Sequence, residues 1–314
     1  MPRFDVIVVG ELNLDLILYG LPEQLPMERE FLAHGLKVTL GSSSAILAHN
    51  LAALGARVGF ASLIGDDPLG EIARYRLVAA GVDVSQIKKA GGRTTGLTVI
   101  LQHDGHRRIL TYPGTMAEMT TADLDMKFLA SARHFHLSSF FLQPALRPHV
   151  AQLFREMKDA GLSTSCDTND DPEDRWEGVF EVLPHVDVFL PNEREAMRLT
   201  GATSLEAAVD KLAKRVPVLA VKLGSQGALA RRGQEEFRCP AAKVASVDPV
   251  GAGDSFDAGF LYQYVKGADL KTCLQYGNLA GALSTTMPGG TEAFRERRNL
   301  EEFFREHAPQ LASS

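Results

Sequence analysis

Short apolar runs alternate with amphipathic stretches along most of this chain. Val6 to Val9 is an apolar run stopped by Gly10, the pattern of a buried strand. Ser42 to Leu54 places Ile46, Leu47, Leu51 and Leu54 on one side, with serine at its start and Gly55 as its stop, so it reads as a helix. Val58 to Ile64 predicts the next strand, and Pro68 to Ala80, closed by Gly81, the next helix. The rhythm continues with a helix over 147–160, a strand over 162–166, a strand from Val186 to Leu190 and helices over 193–200 and 204–214. A strand over 218–223 follows, and later a strand from Lys243 to Val247, a helix from Asp254 to Lys266 and a helix over 271–286. Strands and helices of these lengths in alternation predict an α/β fold with a mostly parallel sheet covered on both faces.

Two segments interrupt this alternation. Residues 96–112 are two β-rich runs separated by Asp104-Gly105, a two-residue hairpin signal because that turn needs positive φ at both central positions. Residues 11–40 lack a helical period and carry Gly20, Pro22, Pro26 and Gly35. Together they predict a small β layer projecting from the main sheet, either a mobile lid over a site or a rigid edge extension.

Length and charge narrow the classes. The 314 residues contain 33 basic and 39 acidic side chains, a net charge of −6, which argues against nucleic acid or an anionic membrane as the main partner. Cys166, Cys239 and Cys273 are widely separated, so neither a disulfide framework nor a zinc site is expected, and a reducing cytoplasm is. No signal-peptide pattern opens the chain, and no apolar stretch reaches the ~18–20 residues that span a bilayer. The His103/His106 and His134/His136 pairs have no third ligand at metal spacing and read as structural. Arg295, Arg297 and Arg298, interspersed with glutamates, read as a solvated face.

The chemistry concentrates in Val247-Asp248-Pro249-Val250-Gly251-Ala252-Gly253-Asp254-Ser255-Phe256-Asp257. Gly251, Ala252 and Gly253 have almost no side-chain bulk, and the free N–H groups of a following helix would point at whatever approaches, so the segment reads as a nest for an anion such as phosphate. Asp254 conflicts with that, since a carboxylate repels an anion. The conflict is resolved if Asp254 accepts a proton from a hydroxyl aimed at the phosphorus. The alternative is a helix cap, with Asp257 completing a capping box.

This segment resembles the DTxGAGDxF signature of the PfkB or ribokinase-like carbohydrate kinases, and further motifs follow the family order along nearly the whole chain. Gly10-Glu11-Leu12-Asn13-Leu14-Asp15 is similar to GxxNxD, Gly41 to Gly55 to the glycine-led helix, and Gly65 to Gly70 to GxDxxG. Thr95-Gly96 opens the expected lid hairpin, Asn192 to Glu195 matches NxxE, and Lys222 to Gly227 matches (T/K)xGxxG. The resemblance implies a ribokinase-like three-layer αβα fold with a mostly parallel central sheet and a small β lid. Residues 1–12, 41–92 and 113–314 would form the main nucleotide-binding and catalytic domain, and 13–40 and 93–112 the lid.

It also implies in-line transfer of the ATP γ-phosphoryl group to the hydroxymethyl group of a small carbohydrate. Asp254 would be the general base, and the Gly251, Ala252 and Gly253 amides the anion hole. Asn13, Asp15, Gly41 and Ser42 would hold the acceptor, the free N–H groups at 42–44 meeting its hydroxyls. Asn192 and Glu195 would reach Mg²⁺ through water, although their spacing also suits a capping box. Lys222, Gly224, Gly227, Gly253 and Asn278 would line the nucleotide, and carbonyls of Asp248, Val250 and Gly289 would hold K⁺. Relatives of this kind often pair through their lids, so a homodimer is expected.

Two departures matter. Many ribokinases carry GGKGxN where this chain has Gly41-Ser42-Ser43-Ser44-Ala45-Ile46, which weakens a ribose assignment. Pro249 replaces the usual Thr and removes one N–H. Arg107 and Arg108 on the hairpin suit an acidic or phosphorylated acceptor, or are simply solvated. A nucleoside kinase, with Phe31, Tyr112, Phe140 or Phe141 as a base platform, and a non-catalytic sugar-binding sensor of the same fold are the alternatives.

Overall fold

A computed structural model describes residues 2–103 and 106–307, so the Asp104-Gly105 turn lies outside the described residues. The strands are β1 (Phe4–Val9), β2 (Leu14–Tyr19), β3 (Gly35–Leu40), β4 (Val58–Gly65), β5 (Asp83–Ala90), β6 (Leu97–His103) and β7 (His106–Tyr112), then β8 (Ala132–Leu137), β9 (Ser163–Cys166), β10 (Val188–Phe189), β11 (Val218–Lys222), β12 (Ala228–Arg232) and β13 (Glu235–Cys239). The helices are α1 (Ser43–Ala53), α2 (Pro68–Ala79), α3 (Met126–Leu129), α4 (Val150–Asp159), α5 (Val179–Val182), α6 (Glu193–Thr200), α7 (Leu205–Leu212), α8 (Ala252–Tyr264), α9 (Leu270–Ser284) and α10 (Arg297–His307).

Nine strands form the main sheet in the order β13-β12-β11-β10-β9-β8-β1-β4-β5, parallel except at β11/β12 and β12/β13. Both faces are buried, which is why Val6 to Val9 of β1 reads as an unbroken apolar run. Its side chains alternate: Val6 and Val8 join the cluster containing Leu47, Leu51, Phe256 and Phe260. Ile7 and Val9 join the opposite one with Phe135, Leu153 and Phe154. The expected α/β fold with a mostly parallel sheet is the fold observed.

The remaining strands form a second sheet in the order β3-β2-β6-β7, with β2 and β6 parallel. Asp67 ties this sheet to the main one. One carboxylate oxygen caps α2 by accepting from Gly70 N (3.0 Å), and the other accepts from Thr95 N (2.6 Å). Thr95 Oγ1 in turn accepts from Gly65 N at the end of β4 (2.9 Å).

Several boundaries differ from the sequence reading. Residues 243–247 form no strand, because Val247 N and Asp248 N both donate to Thr285 O (2.7 and 3.1 Å), which draws the segment across the end of α9 and away from any ladder. The helix expected from Asp254 begins at Ala252, since left-handed Gly251 (φ 72°) ends the loop there. Around Pro148 the chain makes a separate 3₁₀ turn before α4 begins at Val150. His134 and His136 are held by serine hydroxyls inside the sheet. His134 bonds the Ser163 and Ser165 hydroxyls, His136 those of Ser165 and Ser138, and burial holds both rings neutral, near pKa 3. No helix among the described residues is long and apolar enough to cross a membrane.

Candidate active site

The glycine loop makes its turn against Gly290. A Cβ at Gly251 would lie 2.5 Å from Gly290 Cα, so packing as well as φ demands glycine there. Ser255 fastens the turn by donating to Gly251 O from its backbone N (2.9 Å) and its hydroxyl (2.7 Å). Ala252 N turns back onto Pro249 O (3.3 Å). Among the described residues, the N–H groups of Gly251, Gly253 and Asp254 have no backbone partner. They sit at the positive end of α8, a helix of 13 residues, which suits negative charge.

Beneath the nest lies a cluster of carboxylates around one ammonium. Lys222, at the end of β11, places Nζ 2.6 Å from Asp167 Oδ2 and 3.0 Å from Asp257 Oδ2. Burial alone would discharge this lysine, but the two carboxylates outweigh it and raise its affinity for the proton. Asp257 is therefore no part of a capping box at the start of α8. Its Oδ1 meets no donor among the described residues, and burial pushes its pKa well up, so that a proton held by Asp257 can be shared with the neighbouring Asp167 carboxylate. Glu195 is pushed up to about 8, by burial first and by Asp167 next. Asp254 is pushed up to about 6, again by burial and then by Asp167. Four carboxylates and one ammonium leave a surplus of negative charge facing an anion nest. Among the described residues no three acidic, histidine or cysteine side chains converge as direct ligands of an ion, so a divalent cation arriving with a polyanion would meet these carboxylates through its own waters.

On the other side of Asp254 lies a polar wall. Asp15 on β2 is buried and pushed up to about 7, by desolvation first and then by the charges of Asp254 and Asp248. Asn13 donates to Thr98 Oγ1 (3.1 Å), while its own Oδ1 is buried and unpaired. Thr98 pairs across the ladder with Thr111, and Gln102 with Arg107. Directly opposed residues share a face. Gln102 donates to Asp248 Oδ1 (3.4 Å), so Arg107 stands on the face turned toward Asp248. Arg108 is on the other face and donates to Glu23 O.

Not every expected residue is available in the expected way. At the start of α1, Ser43 N is not open to an acceptor, because buried Glu11 takes it (3.0 Å) on the carboxylate oxygen that also accepts from Ser139 Oγ (2.6 Å). The Ser42 hydroxyl is likewise engaged, donating to Glu11 O and accepting from Ala45 N. Asn192 and Glu195 form a full capping box at the start of α6, and Lys222 N bonds Pro191 O beside them. The Asn278 amide nitrogen donates to Cys239 O and Pro240 O (3.0 and 3.1 Å) and so anchors the chain after β13. Gly227 (φ 96°) closes the turn after Gly224, where any side chain would strike Cys239 O. Asp248 is wholly buried and gathers Val250 N and Gly289 N (3.0 Å each).

The site also contains residues the sequence reading passed over: Glu11, Asp167, Asn169 and Asp257. Asn169 reaches Asp254 Oδ1 at 3.5 Å and takes up Ser139 N (2.9 Å) on its own oxygen. The available signal was position, since Asp167 to Asn169 directly follow β9, and ligands of open α/β sheets gather beyond the carboxyl ends of strands.

The chain is similar to known proteins over nearly its whole length. The description "pfkB family carbohydrate kinase" matches residues 3–297. A 2-dehydro-3-deoxygluconokinase of Bacillus subtilis is 30% identical over 279 residues, 84% of this chain and 86% of the relative. An ATP-dependent ribose-1-phosphate kinase of Halopiger xanaduensis is 30% identical over 294 residues, covering 92% and 94%. The structure of Arabidopsis thaliana ribokinase complexed with ribose and ATP superimposes with a TM-score of 0.82 at 25% identity, covering 96% and 99% of the two chains.

Proposed function

The chain belongs to the pfkB family of carbohydrate kinases, and from that premise we propose that it transfers the γ-phosphoryl group of ATP to a hydroxymethyl group of a small carbohydrate. The observation that carries this reading is Asp254, a carboxylate raised to about 6 at the first turn of α8, among amides that lack protein partners. Asp254 takes the proton of the acceptor alcohol while that oxygen bonds to the γ-phosphorus and the bond to the bridging oxygen breaks, releasing ADP. The Gly251, Gly253 and Asp254 amides stabilise the transferring oxygens. Ala252 N–H contributes less, being directed at Pro249 O. Asp15 and Asn13 orient the acceptor from the wall of the small sheet, which acts as a lid.

Mg²⁺ arriving with ATP would supply the charge that offsets the triphosphate. Asn192, Glu195 and the Asp167/Asp257 pair would hold it through water, a reading supported by the Asp257 oxygen that meets no donor among the described residues. Gly224, Gly227 and Lys222 border the nucleotide, while Asn278 supports it indirectly. K⁺ on carbonyls of Asp248, Val250 and Gly289 would brace the nest from a loop that the Asp248 carboxylate already gathers.

For the acceptor, Arg107 on the inner face of β7 favours an acidic or phosphorylated sugar, as do the names of the two 30%-identical relatives. A homodimer through the small sheet is supported by its edge strand β7, which leaves Ile109, Leu110 and Tyr112 more than half exposed. ATP consumption over a panel of sugars, sugar acids, sugar phosphates and nucleosides tests the whole reading, with Asp254→Asn beside the unaltered chain. Turnover with a sugar that the substitution removes supports it. Acceptor binding without turnover in either protein identifies a sensor instead.

A further inference from the structure

We infer that a cavity between α1, α2 and the start of α10 binds a small hydroxylated anion, a phosphate ester or a hydroxycarboxylate, and that its occupancy is felt by the Gly251 nest. The cavity holds about 840 Å³ and shares no residue with the candidate active site. Arg74, Arg76, Arg295 and Arg297 line it, against the carboxylates of Glu71 and Glu296.

Positive charge is in surplus at this wall. Lys37, Arg76 and Arg295 all converge on the single carboxylate of buried Glu292 (3.0, 3.0 and 3.2 Å). Arg295 spends one terminal nitrogen on that contact, and Arg297 only its Nε, on Glu301. A guanidinium carries five N–H donors, so both retain donors for an anion.

The inner wall asks for something different. His49 is 5% exposed and lines the cavity. Its Nδ1 lies 2.9 Å from Asn50 Oδ1. The Asn50 nitrogen donates to Ser255 Oγ and to Gly290 O (2.9 Å each), so its oxygen faces His49 and the imidazole proton sits on Nδ1. Nε2 is then an acceptor, with no hydrogen bond among the described residues. Burial keeps the ring neutral, its pKa lowered to about 4. A ligand that satisfies both parts carries its anion to the arginines and a hydroxyl donor to His49.

The same histidine connects the cavity to the nest. Asn50 bridges it to Ser255, which fastens Gly251 O, and to Gly290, against which Gly251 packs. A ligand that reorients His49 acts on that contact, and the coupling is reciprocal.

The test is calorimetric binding of glucose 6-phosphate, citrate and inorganic phosphate to the full chain saturated with a non-hydrolysable ATP analogue. Glucose 6-phosphate represents the ester, citrate the hydroxycarboxylate, and inorganic phosphate the anion without a hydroxylated arm. At least one of the first two should bind, about tenfold or more tighter than inorganic phosphate. The doubly substituted Arg295→Gln/Arg297→Gln protein should lose about tenfold or more of that affinity, and Asp254→Asn should lose none. The bound probe should also shift the affinity for the nucleotide analogue at least about fivefold. No binding by either hydroxylated probe, equal binding by the arginine variant, or an unmoved nucleotide affinity overturns the inference. These arms read binding alone, so they stand apart from the panel that tests turnover.

Discussion

The carboxylate of Asp15 occupies the space in which a side chain at Gly41 would begin. A Cβ built on Gly41 overlaps Asp15 Oδ1, lies 2.7 Å from its Cγ and 3.0 Å from its backbone nitrogen. Gly41 N meanwhile donates to Asn13 O (3.0 Å), so the two strand ends cannot separate without losing that bond. The glycine is needed to admit a carboxylate, and its backbone conformation would otherwise tolerate alanine.

Gly41→Ala should therefore displace Asp15 while leaving the nest and the Lys222 cluster intact. A displacement of about 1 Å of a positioning group costs about 10²-fold. Steady-state kinetics should show kcat/KM for the acceptor falling by that order and KM for ATP holding. A parallel rise in both KM values would mean that Gly41 serves the fold at large.

Asp254→Asn should lower kcat by about 10² to 10⁴, the span of a lost general base. In the unaltered enzyme kcat/KM should rise with pH on an acid limb near pH 6, where Asp254 ionises, and the variant should lack that limb. Stability should move the opposite way. The folded pKa lies above its ordinary 3.8, so ionisation between about pH 4 and 6 disfavours the native state. The asparagine variant escapes this penalty. Its Tm should exceed that of the unaltered chain at pH 8, with the gap closing below pH 4. A lower Tm at pH 8 would contradict the burial argument.

The fold was largely legible in the chain, because β strands buried on both faces read as apolar runs and glycines mark where helices end. Gly251 to Asp254 was legible too, since bare glycines beside a carboxylate form a local pattern. What stayed hidden depends on distant partners. Asp257 resembles a capping residue three positions after Asp254, and only the arrival of Lys222 and Asp167 from other strands reveals its place. Glu11 lies inside a recognisable motif, yet nothing local says that it will take Ser43 N, one of the amides expected to greet the acceptor. The segment 243–247 has a strand's composition, and Thr285 overrides it from the end of α9.

Lys222→Met should test how far the carboxylate cluster depends on its one cation. Removing one partner of a buried ion pair costs about 3–5 kcal/mol, because the other charge is left uncompensated. Here two carboxylates are stranded, each about 1% exposed. Lys222 holds its proton more tightly than usual in the folded state, so its contribution persists across the neutral range. At low pH the stranded carboxylates can protonate and the loss shrinks. Denaturant unfolding should thus show a larger deficit at pH 8 than at pH 5. An equal deficit at both would place the cost in packing and not in charge.

Arg107→Ala should separate acceptor chemistry from catalysis. Arg107 is opposite Gln102 on the face that reaches Asp248, and its charge is felt at Asp15. It makes no part of the nest, so nucleotide binding should not change. A charge-assisted hydrogen bond to an anion contributes about 1.5–3 kcal/mol, which is about 10- to 150-fold in affinity. KM should therefore rise by about that factor for a sugar acid or sugar phosphate, and scarcely at all for its neutral counterpart. Added salt should weaken the acidic acceptor with the unaltered enzyme more than with the variant, since screening acts on an interaction the variant lacks. The neighbouring Arg108→Ala provides the control, because Arg108 faces away and bonds Glu23 O. Equal losses from both substitutions, or equal losses on neutral and acidic acceptors, would remove Arg107 from the acceptor site.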